Sequence, residues 1–140
     1  MTAPAKPWMA QVLWAAAIYN LAWGGFVVLY PELPFRWAEM PPPNYPELWQ
    51  CIGMMVGVYA YGYYLLAREP QRYAGLIWIG LAGKTLGPLG YLFSAATGSL
   101  PWTFGWVIVF NDLIWWPAFG LYCRDVARLC GGWKAFLFGE

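Results

Sequence analysis

The fold class follows from one apolar segment, Leu76-Ile-Trp-Ile-Gly-Leu-Ala-Gly-Lys-Thr-Leu-Gly-Pro-Leu-Gly-Tyr-Leu92, whose one charged residue is Lys84. A helix needs about 20 mostly apolar residues to cross a bilayer, and the neighbouring residues extend this segment to about 73–96. The segment therefore predicts a membrane-spanning helix. An ionisable group in its middle is costly unless it is paired or hydrated, so Lys84 predicts a partner elsewhere in the chain.

Composition extends the membrane prediction to the whole chain. Of its 140 residues, 61% are hydrophobic and 11% are charged, whereas soluble domains average about 45–50% apolar and about 25% charged residues. So few charges cannot cover a water-soluble surface, and we predict a single membrane domain over 1–140. Four segments are apolar and long enough to be spanning helices: about 8–30, 48–67, 73–96 and 102–122.

The connections predict an all-α, antiparallel up-down bundle of four transmembrane helices. Prolines stiffen the outer loop at 31–47, and the run from Asn44 to Glu47 is typical of a capping box that opens the second helix. The turns at 68–72 and 98–101 are short. Short turns place consecutive helices side by side and antiparallel.

The basic residues predict the orientation. In the four-helix layout most of them fall at one end: Lys6, Arg68, Arg72, Arg124, Arg128 and Lys134. The positive-inside rule places that end, with both termini, in the cytoplasm. The tail at 123–140 begins basic and becomes aromatic, so we expect it to lie in the cytoplasmic interface of the membrane. The predicted protein is multi-pass.

Three of the predicted helices carry polar residues near the middle of the membrane. At a rise of about 1.5 Å per residue, Asn20 and Lys84 lie roughly 18 Å and roughly 16 Å from the cytoplasmic end, and Asp112 lies roughly 15 Å from the other end. The hydrocarbon core is about 30 Å thick, so the three residues share one level. We therefore predict an ion pair between Lys84 and Asp112, with Asn20 and Asn111 as hydrogen-bonding neighbours.

Glycine and proline shape the helix around Lys84. Four glycines recur at three- and four-residue spacing: Gly80, Gly83, Gly87 and Gly90. Such a stripe favours the close approach of a neighbouring helix, and it turns Lys84 toward protein. Pro88 has no N–H to donate to the carbonyl of Lys84, and Pro117 likewise frees the carbonyl of Leu113. Carbonyls freed at this depth need an internal partner, water or a ligand.

The second predicted helix carries a glycine pair and a tyrosine cluster. Gly53 and Gly57 form a GxxxG pair, which indicates close packing against another helix or against a second copy of the chain. Tyr59 and Tyr61 belong to a cluster of tyrosines in the cytoplasmic half of this helix. Either of them is placed to turn inward and reach the polar centre.

The polar centre allows two interpretations. In the first, the Lys84–Asp112 pair only locks the helices in register, and Trp115 and Trp116 belong to the core or to the interfacial belt. In the second, the polar residues form a ligand pocket or a proton relay. The two tryptophans then line an aromatic cavity that suits a quinone-, pigment- or lipid-like molecule.

Residue content argues against several function classes. Histidine, the commonest metal ligand and general base, is absent. Cys51, Cys123 and Cys130 form no C-x-x-C pair, so we predict no metal site. A net charge of +1 gives no indication of nucleic-acid binding. The run Gly83-Lys-Thr85 looks like the end of a P-loop, but Trp78 stands where that pattern needs glycine.

In size, helix count and short loops, the chain resembles the small four-helix bacterial inner-membrane proteins of the DoxX-like kind. Two runs have the look of a family signature, Gly83-Lys-Thr-Leu-Gly-Pro-Leu-Gly90 and Asn111-Asp-Leu-Ile-Trp-Trp-Pro117. The resemblance implies an inner-membrane location and an accessory role in a redox or respiratory membrane system.

These observations favour a non-enzymatic role, either as an accessory or scaffold subunit or as a bundle that binds a hydrophobic molecule. The expected partners are the lipid bilayer, such a molecule, and a larger membrane complex or homo-oligomer. Two alternatives stay open. One is a small oligomeric transporter or proton or ion conduit. The other is a membrane-embedded lipid-modifying enzyme or isomerase, with Asp112 as acid and base and Lys84 holding the charge. The sequence identifies no cofactor.

Overall fold

The computed structural model describes residues 5–138, and this part of the chain is helical, without a β-strand. Its three longest helices are α1 (Pro7–Leu29), α3 (Pro46–Arg68) and α4 (Leu76–Ala96). They correspond to the first three predicted segments. A short helix, α2 (Leu33–Trp37), lies within the proline-rich loop. Residues 1–4 and 139–140, the ends of the predicted domain and tail, lie outside the described residues.

Proline begins the second long helix. Tyr45 is the residue before α3, and no side chain caps the helix there. The predicted capping box at Asn44 is therefore wrong. Pro46 occupies the first turn instead, where its fixed φ suits the helix and its missing N–H costs no hydrogen bond.

The fourth predicted segment differs most from expectation, because it is a broken helix that runs past residue 122. A 3-10 turn leads into α5 (Gly105–Asn111), and a second 3-10 turn at Leu113–Trp115 separates α5 from α6 (Trp116–Leu129). Pro117 has no N–H for the carbonyl of Leu113. The N–H of Trp116 donates to that carbonyl in the 3-10 pattern, so the carbonyl is not left free.

The end of the chain folds back on the bundle. Gly131 and Gly132 adopt positive φ values of 90° and 133°, which stop the preceding helix, and α7 (Trp133–Phe138) follows. Phe136 is buried in the main core, with its ring centroid 5.2 Å from that of Trp78. At the same end, Lys6 Nζ lies 2.7 Å from Asp125 Oδ2, which joins the start of α1 to α6.

Helices α1 and α3 share the largest interface of the described chain. At its centre, which we call the α1–α3 seam, Gly24 meets Gly53 and Gly57. A Cβ on Gly24 would lie 2.5 Å from the Gly53 carbonyl oxygen and 2.8 Å from the Gly57 nitrogen. The GxxxG pair therefore packs against a helix of its own chain.

Three spans among residues 5–138 are long and apolar enough to cross a membrane: Pro7–Leu29, Leu76–Ala96 and Trp102–Leu129. Large apolar side chains are also exposed along them, including Ile18, Leu21 and Leu86. Together these features are those of a membrane protein. Helix α3 is as long as α1 but less apolar, because it carries Glu47, Gln50 and several tyrosines. It is therefore not one of these three spans.

Candidate functional site

Lys84 and Asp112 are buried beside each other in the interior. Helix α4 carries Lys84, and the break between α5 and α6 carries Asp112; their side chains are 6% and 9% exposed. Lys84 Nζ lies 3.8 Å from Asp112 Oδ1, which is ion-pair distance without a direct hydrogen bond. Asn111 Nδ2 donates to Asp112 Oδ1 at 3.1 Å.

The helix break supplies the hydrogen-bond acceptor for Lys84. In a continuous α-helix the Asn111 carbonyl would accept from the N–H of Trp115, four residues on. In the 3-10 turn that N–H donates to the carbonyl of Asp112 instead, at 3.1 Å. The Asn111 carbonyl is thereby available to Lys84 Nζ, which donates to it at 2.5 Å. One local distortion therefore positions both the carboxylate and the carbonyl that face the ammonium.

The carbonyl of Lys84 also finds its partner in this region. Pro88 lies inside α4 and donates no hydrogen bond to it. Trp116 Nε1 donates to it instead, at 2.8 Å. The indole thus ties α4 to the start of α6, and the freed carbonyl has an internal partner rather than a vacant position for a ligand.

A cavity of about 180 Å³, which we call the polar cavity, adjoins the ion pair. It is lined by Asn20, Val56, Tyr59, Gly83, Lys84, Gly87, Asn111 and Asp112. Asn20 is 1% exposed, and neither atom of its amide has a hydrogen-bond partner among residues 5–138. Asn111 Oδ1 is likewise unpartnered in the described chain. Gly87 leaves room for the carboxylate, since a Cβ there would lie 3.2 Å from Asp112 Oδ2.

The predicted aromatic residues separate into two groups. Tyr59 lines the polar cavity, and the Trp115 ring lies 5.9 Å from Lys84 Nζ. Trp116 is 40% exposed and reaches the site through its indole N–H. Tyr61 is 66% exposed and stacks on Tyr64, away from the polar cavity.

A second, apolar cavity of about 360 Å³, which we call the α3–α4 groove, lies next to the first. It is lined by Val58, Tyr59, Tyr61, Gly62, Tyr63, Leu65, Leu76, Ile79 and Gly80. Tyr59 therefore belongs to both cavities. Because Gly80 has no side chain, the Tyr63 hydroxyl occupies the space beside it, where a Cβ would lie 2.5 Å from that oxygen.

The glycine stripe of α4 serves a purpose other than the expected one. Side chains rather than a helix backbone approach it: Tyr63 at Gly80, Tyr59 at Gly83 and Asp112 at Gly87. The contributions of Tyr63 and of Tyr19 were not predicted from the sequence; the Tyr19 hydroxyl donates to the Phe110 carbonyl at 2.6 Å. Tyr63 belongs to the tyrosine cluster of the second predicted helix and Tyr19 adjoins Asn20, so both lie next to features that the sequence does show.

Over the described residues, no group of three or more histidine, cysteine, aspartate or glutamate side chains is arranged to hold a metal ion. The fold and the buried ionisable centre define the class, an all-helical membrane protein with a polar cavity in its interior. Comparisons with protein-family models, with curated proteins and with solved structures find no match for the chain.

Proposed function

We propose that this protein is a multi-pass inner-membrane protein that binds a hydrophobic small molecule, with the polar group of the molecule held in the polar cavity. The observation that carries the proposal is the unpartnered amide of Asn20, which is almost completely buried and borders that cavity. Leaving a buried polar group without a partner costs about 1–3 kcal/mol. A pair that only locked the bundle in register would not need this residue.

Cavity sizes support a ligand with a polar head and an apolar remainder. Pockets for small molecules usually measure about 300–1,000 Å³. The polar cavity alone, at about 180 Å³, is smaller than that. The adjoining α3–α4 groove adds about 360 Å³ of apolar space, and the two meet at Tyr59.

The proposal includes four antiparallel membrane-spanning helices with cytoplasmic termini. Two contacts that join basic segments at one end of the molecule support this orientation. They are the ion pair of Lys6 with Asp125 and the hydrogen bond from Gln71 to the Leu129 carbonyl. The positive-inside rule places such an end in the cytoplasm. Helix α3 then forms the fourth span, since its 23 residues match the length of α1.

An accessory role within a larger membrane complex or homo-oligomer is compatible with ligand binding and belongs to the same proposal. An ion conduit through one chain has less support. Between Asp112 and Asp125, α6 contributes Phe119 and Tyr122 to a closely packed core. The Tyr122 hydroxyl is buried there without a hydrogen-bond partner among the described residues, so it does not belong to a hydrogen-bonded chain between the two carboxylates. A lipid-modifying activity at Asp112 has no observation of its own in its favour.

Native mass spectrometry of the protein, extracted gently from its own membrane, tests the proposal. We expect wild type to carry a small molecule in stoichiometric amount and Asn20→Leu to lose it. Gln50→Leu is the matched control, because it removes an amide that bonds the Val28 carbonyl outside both cavities. We expect this variant to keep the molecule. Wild type without any bound molecule, or equal retention by Asn20→Leu, would contradict ligand binding at this site.

A further inference from the structure

The wall of the polar cavity that faces outward is made of glycine. Gly83 and Gly87 both line the cavity and are both exposed, while Tyr59 opposite them is half-buried. Helices α3 and α4 touch at few positions, in contrast to α1 and α3. The polar cavity is therefore reached from the side of the molecule, between α3 and α4, at the level where the surrounding helices expose apolar side chains.

Charge in the polar cavity is balanced. Lys84 contributes one positive charge and Asp112 one negative charge, and the remaining polar lining residues, Asn20, Tyr59 and Asn111, are neutral. An additional buried charge would have no partner left and would be expensive. A neutral head is therefore favoured over a phosphate, a carboxylate or an ammonium group.

The polar cavity contains both hydrogen-bond donors and hydrogen-bond acceptors that have no partner in the described chain. Asn20 offers an N–H donor and a carbonyl acceptor, and Asn111 Oδ1 is a further acceptor. A head with two hydroxyl groups can donate to both acceptors and accept from the Asn20 amide, and so satisfies all of them. The α3–α4 groove is lined by apolar side chains and tyrosine rings. Its volume is at the lower end of small-molecule pockets, which suits one acyl chain of a lipid rather than two.

Resting on the ligand-binding function proposed above, we propose that the ligand is a neutral single-chain lipid with a hydroxyl-bearing head. It enters sideways from the bilayer across Gly83. Its head lies against Asn20 and the Lys84–Asp112 pair, and its chain lies in the α3–α4 groove between Tyr61 and Ile79.

Photo-crosslinking in phosphatidylcholine nanodiscs tests this inference, with monoolein that carries a diazirine in its acyl chain as the probe. In wild type we expect crosslinks on peptides that contain Tyr61 or Ile79. Gly83→Leu should reduce this labelling at least tenfold, because its side chain fills the entry. Gly90→Leu is the matched control: Gly90 is an exposed glycine of the same helix, and a Cβ placed there would face open space. It should label like wild type.

Two further measurements keep the test decisive. If Gly83→Leu fails to fold, Gly83→Ala replaces it, since its Cβ would lie 3.7 Å from the Tyr59 ring, an ordinary contact; a several-fold reduction is then expected. An oleate probe with the same chain and label should give at least tenfold less crosslinking than monoolein, because its head is charged.

The possible failures are distinct. Crosslinks outside the α3–α4 groove, or unchanged labelling in the Gly83 variants, would overturn the lateral entry. Oleate labelling equal to or above that of monoolein would overturn the neutral head. Either result leaves the small molecule seen by native mass spectrometry in place, whereas wild type without such a molecule removes the proposed function itself.

Discussion

The two sides of α3 show opposite uses of glycine. On one side, at the α1–α3 seam, Gly24, Gly53 and Gly57 bring two helix backbones into contact. On the other side, the glycines of α4 face side chains, and helices α3 and α4 stay apart around two cavities. The residues that meet at the seam have no polar side chain, whereas the side of α3 that faces α4 adjoins a cavity with a buried ion pair.

This difference shows that a glycine repeat predicts small side chains but not what fills the space they leave. Where two glycine surfaces meet, the space is filled by backbone and the interface is rigid. Where glycine faces tyrosine or aspartate, those side chains fill part of the space and cavities occupy the rest. Three substitutions test this comparison, in decreasing order of expected effect.

The largest effect is expected at the ion pair. Lys84→Met should lower the free energy of unfolding by about 3–5 kcal/mol, because it leaves Asp112 as an uncompensated buried charge. Lys84→Met combined with Asp112→Leu should restore most of that loss. Detergent-solubilised protein unfolded with sodium dodecyl sulfate provides the measurement. A double variant that stays as unstable as the single one would contradict the view that the two charges stabilise each other.

A smaller effect is expected at the α1–α3 seam. Gly24→Ala should destabilise by about 1–3 kcal/mol, since its Cβ would overlap backbone atoms of α3 that have no room to move. Gly25→Ala is the matched control, because the described structure leaves open space around a Cβ at that position. There alanine should be neutral or stabilise by up to about 1 kcal/mol through its higher helix propensity. Equal effects in the two thermal unfolding curves would show that the seam is not tightly packed.

The smallest effect is expected at the tie between α4 and α6. Trp116→Phe removes the hydrogen bond to the Lys84 carbonyl and should cost about 1 kcal/mol. In a Pro88→Ala background the cost should fall, because residue 88 then donates its own N–H to that carbonyl. A double-mutant cycle on the unfolding free energy measures the coupling. The same cost in both backgrounds would mean that the indole contributes by packing alone.

Much of the fold and part of the candidate site were predictable from local features. The apolar segments located α1, α3 and α4, and helical depth placed Asn20, Lys84 and Asp112 at one level. Tyr61 illustrates the limit, because it and Tyr59 were equally good candidates by sequence. The rotation of α3 against α1, set by the glycine contacts of the seam, turns Tyr59 toward the polar cavity and leaves Tyr61 exposed.

The break at Asp112 shows the same limit for the backbone. Pro117 indicated a weakened turn, but it did not reveal that a 3-10 segment would release the Asn111 carbonyl toward Lys84. That outcome depends on α4 presenting an ammonium group at the break, and α4 is distant in sequence. Whether a carbonyl is free or bonded is decided by such neighbours.

The amino-acid sequence alone determined the membrane class, the positions of the long helices and the presence of buried polar residues, because apolar length and composition are local properties of the chain. Tertiary structure decided which glycines close an interface, which acceptor Lys84 takes and that Asn20 borders a cavity without a partner. These features depend on how helices distant in sequence rotate and pack against one another, and a side chain's partners exist only once that packing is complete.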